Sequence, residues 1–570
     1  MTIEQQIQEF ETSISPFGRK CQFFFGVECY DANVRQTIFL KETKMIKRFL
    51  FSSVTALVLV MSSTLNPQSV HALSDASEHN SKANTFQSMP CPPDIFPDSV
   101  RVDCGFVTVP ENRAHPNGRM IQVAAAVVHA PARHPKKDPI VFLDGGPSFG
   151  AISTFALDAY FAGASFIEDR DIILVDTRGT GLSQPRLGCP EFDEADESSF
   201  YSSPYVGSSF VEEMTQAVTD CHNRLTAVGI DLAAYNSAES AADIDALRRA
   251  LGYKEWNLLA FSADGVLGLT YMRLYPDGIR SAIIDSGSSP QHLWNIDYYL
   301  GVNEEFERIF AGCAANSACN AAYPNLRKVF FDLVHQLRVD PVNISIPHFV
   351  GGPIVLHVDG VEFYLDTITN IFPGDLYSSD SIRPLLAEIW RSAHGQLAEV
   401  YRERFSGPAP VFDANSFVAM GKTMSYTCHD LIGFEKPADF EQTARDLPEL
   451  APFFLNPDAF LPMGPTGCPI WNVGRANEVQ HQPVVSAIPT LVLAGEYDGA
   501  IPPLMVRQIP GTLPNSFYYE FAAGAHAQLA SYNTASTCAR SIATQFLDQP
   551  TKKPDSSCIA ALPQFDFTPE

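Results

Sequence analysis

A serine, a histidine and a carboxylate together can make a hydroxyl nucleophilic. The imidazole takes the hydroxyl proton, and the carboxylate fixes the tautomer and orientation of the ring. Three positions in this chain have the residue types and surroundings for that chemistry. Ser262 follows the apolar run Trp256 to Phe261 and precedes Ala263-Asp264-Gly265 and a helical stretch. In that setting a tight strand-to-helix turn lifts a serine side chain above a sheet. Asp498 sits in Gly495-Glu496-Tyr497-Asp498-Gly499, just past the strand-like run Thr490 to Ala494, and His526 closes Gly524-Ala525-His526 after the run Phe517 to Phe521. A serine at such a junction can equally be a helix N-cap, so the joint order Ser, Asp, His along successive strand ends carries the reading. Asp285 and Glu496 are competing acids. The other histidines of the 14, including His429, read as surface or cap residues.

A serine nucleophile also needs donors for the oxyanion it creates. Asp144-Gly145-Gly146-Pro147-Ser148 follows the run Pro139 to Leu143, and the Gly146 and Ala263 N–H groups are the expected pair. Losing one such donor typically costs about 3 kcal/mol of transition-state stabilisation. Asp264 is the unusual neighbour: a carboxylate beside the nucleophile opposes an oxyanion unless it caps the following helix or meets a cation. If instead it binds a substrate ammonium, it takes part in the chemistry.

The elements that must position these groups are legible. Val100 to Val109 and Met120 to His129, separated by Pro116-Asn117-Gly118, read as an antiparallel hairpin. Pro139 to Leu143, Asp171 to Val175, Trp256 to Phe261 and Ala282 to Ile284 are short, unalternating apolar runs, as in a parallel sheet covered on both faces. Glu239 to Leu251 and Val266 to Tyr275 read as helices between them. From 291 to 485 the pattern changes to amphipathic helices (Glu304 to Phe310, Leu326 to Leu337, Ile382 to Arg402) and Pro-rich loops, and strand-like runs then resume. The expected organisation is a core over 86–290, an inserted helical cap over 291–485, and the rest of the core over 486–570.

Asp176-Thr177-Arg178-Gly179-Thr180-Gly181-Leu182-Ser183, Gly145-Gly146-Pro147, Trp256-Asn257-Leu258-Leu259 before Ser262, and Gly495-Glu496-Tyr497-Asp498 resemble the exported tripeptidyl aminopeptidase and proline iminopeptidase-like family. The resemblance runs from about Cys91 to Cys558. It implies an α/β-hydrolase fold, with a mostly parallel central sheet flanked by helices and an inserted helical cap. It also implies no cofactor, and release of residues from peptide N-termini through an acyl-enzyme formed at Ser262 with His526 and Asp498. The family's C-terminal cysteine pair matches Cys538 and Cys558. The chain departs from the family pattern at Ala263, usually aromatic; at Asp264 and Ser148, usually glycine; and at Ala525 and Ala527, which flank the histidine where glycines are common. The same apparatus cleaves esters, so a carboxylesterase or lipase is the second reading and a catalytically dead binding protein on this fold the third.

Met45-Ile46-Lys47-Arg48, the apolar stretch Phe49 to Met61 and Val70-His71-Ala72 have the layout of an export signal over 45–72. The stretch is too short to span a membrane comfortably. Residues 1–44 precede it, so Met45 is the expected initiator. An oxidising destination makes ten cysteines an even disulfide set. Spacing suggests Cys91 with Cys104, Cys189 with Cys221, Cys313 with Cys319, Cys428 with Cys468, and Cys538 with Cys558. With no CxxC or HExxH pattern, no metal is expected. The formal charge of −26 over 570 residues would repel phosphate backbones and anionic surfaces. The expected partner is therefore a peptide or a small ester, not nucleic acid. N-terminal sequencing of exported protein should begin near Leu73, and a mature chain retaining Phe49 to Met61 would contradict this.

Overall fold

A computed structural model describes residues 85–569 apart from 94, 98, 148, 153–163, 193–207, 347–353, 372–378, 405–417, 457–459, 461 and 531–534. The export signal, the segment before it and Ser148 lie outside the described residues.

The backbone of the structure is a nine-stranded sheet. Its strands are β1 (Gln87–Ser88), β2 (Val102–Pro110), β3 (Met120–Val128), β4 (Ile140–Leu143), β5 (Ile172–Val175), β6 (Trp256–Phe261), β7 (Ile279–Asp285), β10 (Thr490–Gly495) and β11 (Ser516–Phe521), while β8 (Val342–Ile346) and β9 (Ile354–Val358) pair separately. The order across the large sheet is β1-β2-β3-β5-β4-β6-β7-β10-β11. β2 and β3 form the antiparallel hairpin, β3 joins β5 antiparallel, and from β5 to β11 every pairing is parallel.

The unalternating runs arise because both sheet faces are covered. Phe142, Leu259, Leu491 and Leu493 enter one core, with Ile542 and Phe546 of the helix Ser536–Asp548. Their neighbours Val141, Leu143, Leu258, Ala260, Val492 and Ala494 enter the other. There they meet Ile244 and Leu247 of helix α2 (Ser237–Ala250) and Leu267 and Leu269 of helix α3 (Gly265–Leu274). Fully burying one such side chain contributes about 1.5–3 kcal/mol, so the strands are held by their sequence on both sides. Helix α2 starts where the Asn236 side chain accepts the Glu239 N–H.

Between β7 and β10 the chain is mostly helical. The segment includes helix α4 (Trp294–Ala315), helix α5 (Leu326–Val339) and helix α6 (Met420–Asp430), but also the β8–β9 hairpin, which the sequence reading missed. The expected single helix Ile382 to Arg402 is instead broken at Ser392–Gln396, where Gly395 adopts φ 88°. Most of the segment's buried side chains enter two cores. Phe306, Phe330, Leu385 and Phe453 share one. Met424, Cys428 and Trp471 pack with Leu187, Val218, Cys221 and Tyr235 in another, where helix α1 (Ser208–Ala227) meets the insertion.

Disulfides join Cys91–Cys104, Cys189–Cys221, Cys313–Cys319, Cys428–Cys468 and Cys538–Cys558. Two of them flank the small core around Trp471. Among the described residues no helix is long and apolar enough to cross a membrane. Replacing Cys428 and Cys468 by alanine should lower the unfolding free energy by about 2–4 kcal/mol, read as a lower urea midpoint at unchanged slope. An unmoved midpoint would contradict the dependence of helix α6 on that link.

Candidate active site

Ser262 stands at the turn from β6 into α3 with φ 56°, a left-handed conformation that non-glycine residues rarely adopt. It is only partly buried. The turn is held by its own backbone, the Ser262 carbonyl accepting the Ser288 N–H at 3.1 Å. Glycine is required one residue later than the usual motif places it. A Cβ on Gly265 would lie 2.5 Å from the Ser288 carbonyl oxygen and 2.8 Å from Gly287 Cα. That shift explains how position 264 accepts a carboxylate: the tight crossing falls at Gly265.

Parallel pairing puts the C-terminal ends of β6, β10 and β11 on one edge of the sheet, where such folds bind ligands. There His526 Nε2 lies 3.0 Å from Ser262 Oγ, and His526 Nδ1 lies 2.8 and 3.0 Å from Asp498 Oδ1 and Oδ2. With Nδ1–H donated to Asp498, Nε2 is left to accept the serine proton. His526 and Asp498 are both buried. Asp498 Oδ1 also accepts the Ala500 and Ile501 N–H groups at 3.1 and 2.9 Å, which fixes its rotamer. The Phe261 ring lies 4.8 Å from the His526 ring.

The competing acids go elsewhere. Asp285 accepts the Gln528 and Leu529 N–H groups, both at 2.9 Å, and Ser286 Oγ accepts Ala527 N–H, so the end of β7 pins the loop that carries His526. Ala527 bends there at φ 60°, a conformation for which glycine would be the unstrained choice. Glu496 accepts the Ala523 N–H at 3.0 Å.

The Gly145–Gly146 turn presses against Ser262. Gly145 has φ 84°, and a Cβ there would lie 2.7 Å from Ser262 Cβ. The Gly146 and Ala263 N–H groups remain the oxyanion donors expected from the sequence. Asp264 does not cap α3. Burial drives its carboxyl well above the usual range, and Lys422 and the Gly145 N–H pull it back. Lys422, on α6, is itself buried; burial pulls its ammonium down while Asp430, Asp264 and Asp243 oppose this. Sequence reading missed this lysine. The available signal was a cation in Gly421-Lys422-Thr423-Met424-Ser425-Tyr426 with no acid three or four residues away.

The Asp176-to-Ser183 segment is scaffold. Asp176 accepts the Ile152 and Leu182 N–H groups, and burial raises its carboxyl to about 6. The buried Arg178 pairs with both oxygens of Asp243. Cys189, Glu191 and Cys221 bring donor atoms within 4.8 Å of one another, but both sulfurs are held in a disulfide and neither offers a thiolate.

Residues 138–530 match the family model described as alpha/beta hydrolase fold. Serine protease Hip1 of Mycobacterium tuberculosis and of Mycobacterium bovis is 27% identical over 418 residues, covering 70% of this chain and 76% of the relative. Tripeptidyl aminopeptidase of Streptomyces lividans is 27% identical over 233 residues, 38% of this chain and 42% of that protein. The putative hydrolase YuaR of Escherichia coli is 24% identical over 321 residues, 53% of this chain and 56% of its own length. The chain belongs to the α/β-hydrolase fold family and is an enzyme of the serine-hydrolase class.

Asp498→Asn should lower kcat by about 10⁴-fold by favouring the wrong histidine tautomer, with little change in thermal unfolding. Asp285→Ala should instead lower stability by about 2–4 kcal/mol by orphaning two buried N–H groups. The reverse pattern would make Asp285 the orienting acid.

Proposed function

We propose that the chain is an exported serine aminopeptidase that releases N-terminal residues or short peptides. The Ser262–His526–Asp498 hydrogen-bond chain is the observation that carries this reading. Ser262 Oγ attacks the scissile carbonyl as its proton passes to His526 Nε2. Gly146 and Ala263 N–H stabilise the oxyanion, and His526 returns the proton to the leaving amine. Water activated by the same histidine then hydrolyses the acyl-enzyme and frees the N-terminal fragment. The five disulfides support an oxidising destination, and the relatives named as proteases and aminopeptidases support a peptide substrate.

Glu305 on α4 supports capture of a free amine. It is buried, and neither carboxyl oxygen has a hydrogen-bond partner among the described residues. Burial raises it well above the usual carboxyl range, and Asp498 adds repulsion that Arg308 only partly opposes. A carboxyl held neutral in this way ionises when an ammonium arrives, which favours a charged amine over a neutral group.

Chromogenic aminoacyl, tripeptidyl, N-acetylated and short acyl-ester substrates, assayed beside Ser262→Ala, test the reading. The expected result is cleavage of free-amine peptides, weak cleavage of blocked ones, and none by Ser262→Ala. Glu305→Gln should raise KM for amine substrates about tenfold and leave ester KM unchanged. Equal use of blocked and free peptides, or turnover of esters alone, would favour the esterase.

A further inference from the structure

We propose that Tyr426, carried on helix α6 in the segment between β7 and β10, is a positioning residue for the oxyanion site. Its hydroxyl, with that of Ser288, holds the Ala263 carbonyl and so fixes the direction of the Ala263 N–H. The proposal rests on the serine-hydrolase reading above, with the Ala263 N–H as one oxyanion donor. Tyr426 OH donates to the Ala263 carbonyl at 3.2 Å, and Ser288 Oγ donates to the same oxygen at 3.4 Å. Tyr426 and Ser288 are both buried. One residue earlier, the Ser262 carbonyl accepts the Ser288 N–H at 3.1 Å. The two peptide planes that meet at Ala263 are therefore each tied by their carbonyl. A trans peptide points its N–H opposite its carbonyl, so tying the Ser262 carbonyl to Ser288 turns the Ala263 N–H the other way. Tying the Ala263 carbonyl then keeps the second plane from rotating and carrying the first with it.

The turn needs such ties because Ser262 sits at φ 56°, a conformation that persists only when its surroundings over-determine it. Within the turn itself only the Gly265 N–H reaches back to the Ser262 and Ala263 carbonyls. The remaining constraints come from outside. Ser288 is pressed against the turn, since a Cβ on Gly265 would lie 2.5 Å from the Ser288 carbonyl oxygen. Tyr426 comes from a helix that is itself fastened at several points. Gly421 N–H donates to the Leu187 carbonyl at 2.9 Å, Trp471 Nε1 donates to Ser425 Oγ at 2.9 Å, Asp430 accepts the Ser237 N–H at 2.7 Å, and Cys428 is bonded to Cys468. The Tyr426 ring packs with Val266 of α3 and with Leu431, which leaves its hydroxyl little freedom. A constraint on oxyanion geometry is thus supplied from 163 residues along the chain. An oxyanion donor acts by being in place before charge develops, so a loosened Ala263 N–H weakens the transition state more than the bound substrate.

The test measures turnover of a short acyl ester, inhibition by a trifluoromethyl ketone, fluorophosphonate titration of active sites and thermal unfolding. It compares wild type with Tyr426→Phe, Ser288→Ala and their double variant, with Ser262→Ala as the blank. Tyr401→Phe is the control, since it removes another buried tyrosine hydroxyl, one bonded to Asp366. Per titrated site, Tyr426→Phe should lower kcat about tenfold, roughly half the logarithmic effect of losing an oxyanion donor outright, and change KM less than about twofold. The ketone forms an oxyanion when Ser262 adds to it, so its Ki should rise by the same factor as kcat/KM falls. Ser288→Ala should fall less, and the double variant by more than the product of the two, because the hydroxyls share one acceptor. Tyr401→Phe should lower the unfolding temperature and leave kcat per site unchanged. Wild-type kcat in both Tyr426→Phe and Ser288→Ala would overturn the positioning role. So would a loss of kcat with unchanged ketone Ki, or one matched by an equal loss of titratable sites, which would make the hydroxyl merely structural. Wild-type protein that is not titrated, with turnover that survives Ser262→Ala, would sink the serine-hydrolase reading itself, an outcome distinct from these.

Discussion

The hydrogen bond between His526 Nε2 and Ser262 Oγ spans 3.0 Å in space and 264 residues in sequence, and most of the fold can be understood as what keeps those two atoms together. Local propensity cannot do it. The parallel register does, because β6, β7, β10 and β11 end at the same edge and their loops have nowhere else to go. Each loop is then tied to its neighbour: the Ser262 carbonyl to Ser288, Ser286 to Ala527, Asp285 to the two residues that follow, and Asp498 to His526. The 204 residues between β7 and β10 leave this register intact, since the sheet is closed by side chains on both of its faces.

The second physical theme is the cost of burying charge. Asp176, Asp264, Asp285, Asp498, Arg178 and Lys422 are all buried. An unpaired charge there would cost several kcal/mol. Asp176, Asp285 and Asp498 are satisfied by backbone N–H groups, and Arg178 by Asp243. Lys422 is met by the Tyr235 carbonyl and Ser240 Oγ. Glu305 is the exception, a buried carboxyl with no partner among the described residues, and groups of that kind concentrate where a protein meets a ligand.

Much of this was legible in the sequence, and the reasons are specific. Trp256 to Phe261 and Thr490 to Ala494 read as strands because an element buried on both faces has no polar side to disguise it. Asp498 and His526 followed from their places after such strands. The β8–β9 hairpin was missed because it lies within an otherwise helical stretch, although Val342 to Ile346 alternates buried Ile344 and Ile346 with exposed Asn343 and Ser345. The setting of position 264 was also hidden, because the close approach at Gly265 is a property of the backbone path alone. Ala527, standing where glycine would relax the chain, shows the same limit: its φ of 60° is imposed by Ser286 and Asp285, not by its own preference.

Reaction of the folded, disulfide-intact protein with a fluorophosphonate, followed by peptide mass mapping, tests the account most directly. A hydroxyl activated by His526 and faced by an oxyanion site should be phosphonylated at Ser262 alone, one adduct per chain, and Ser262→Ala should remain unmodified. Native protein left unlabelled at Ser262, or labelled at a different serine, would contradict it.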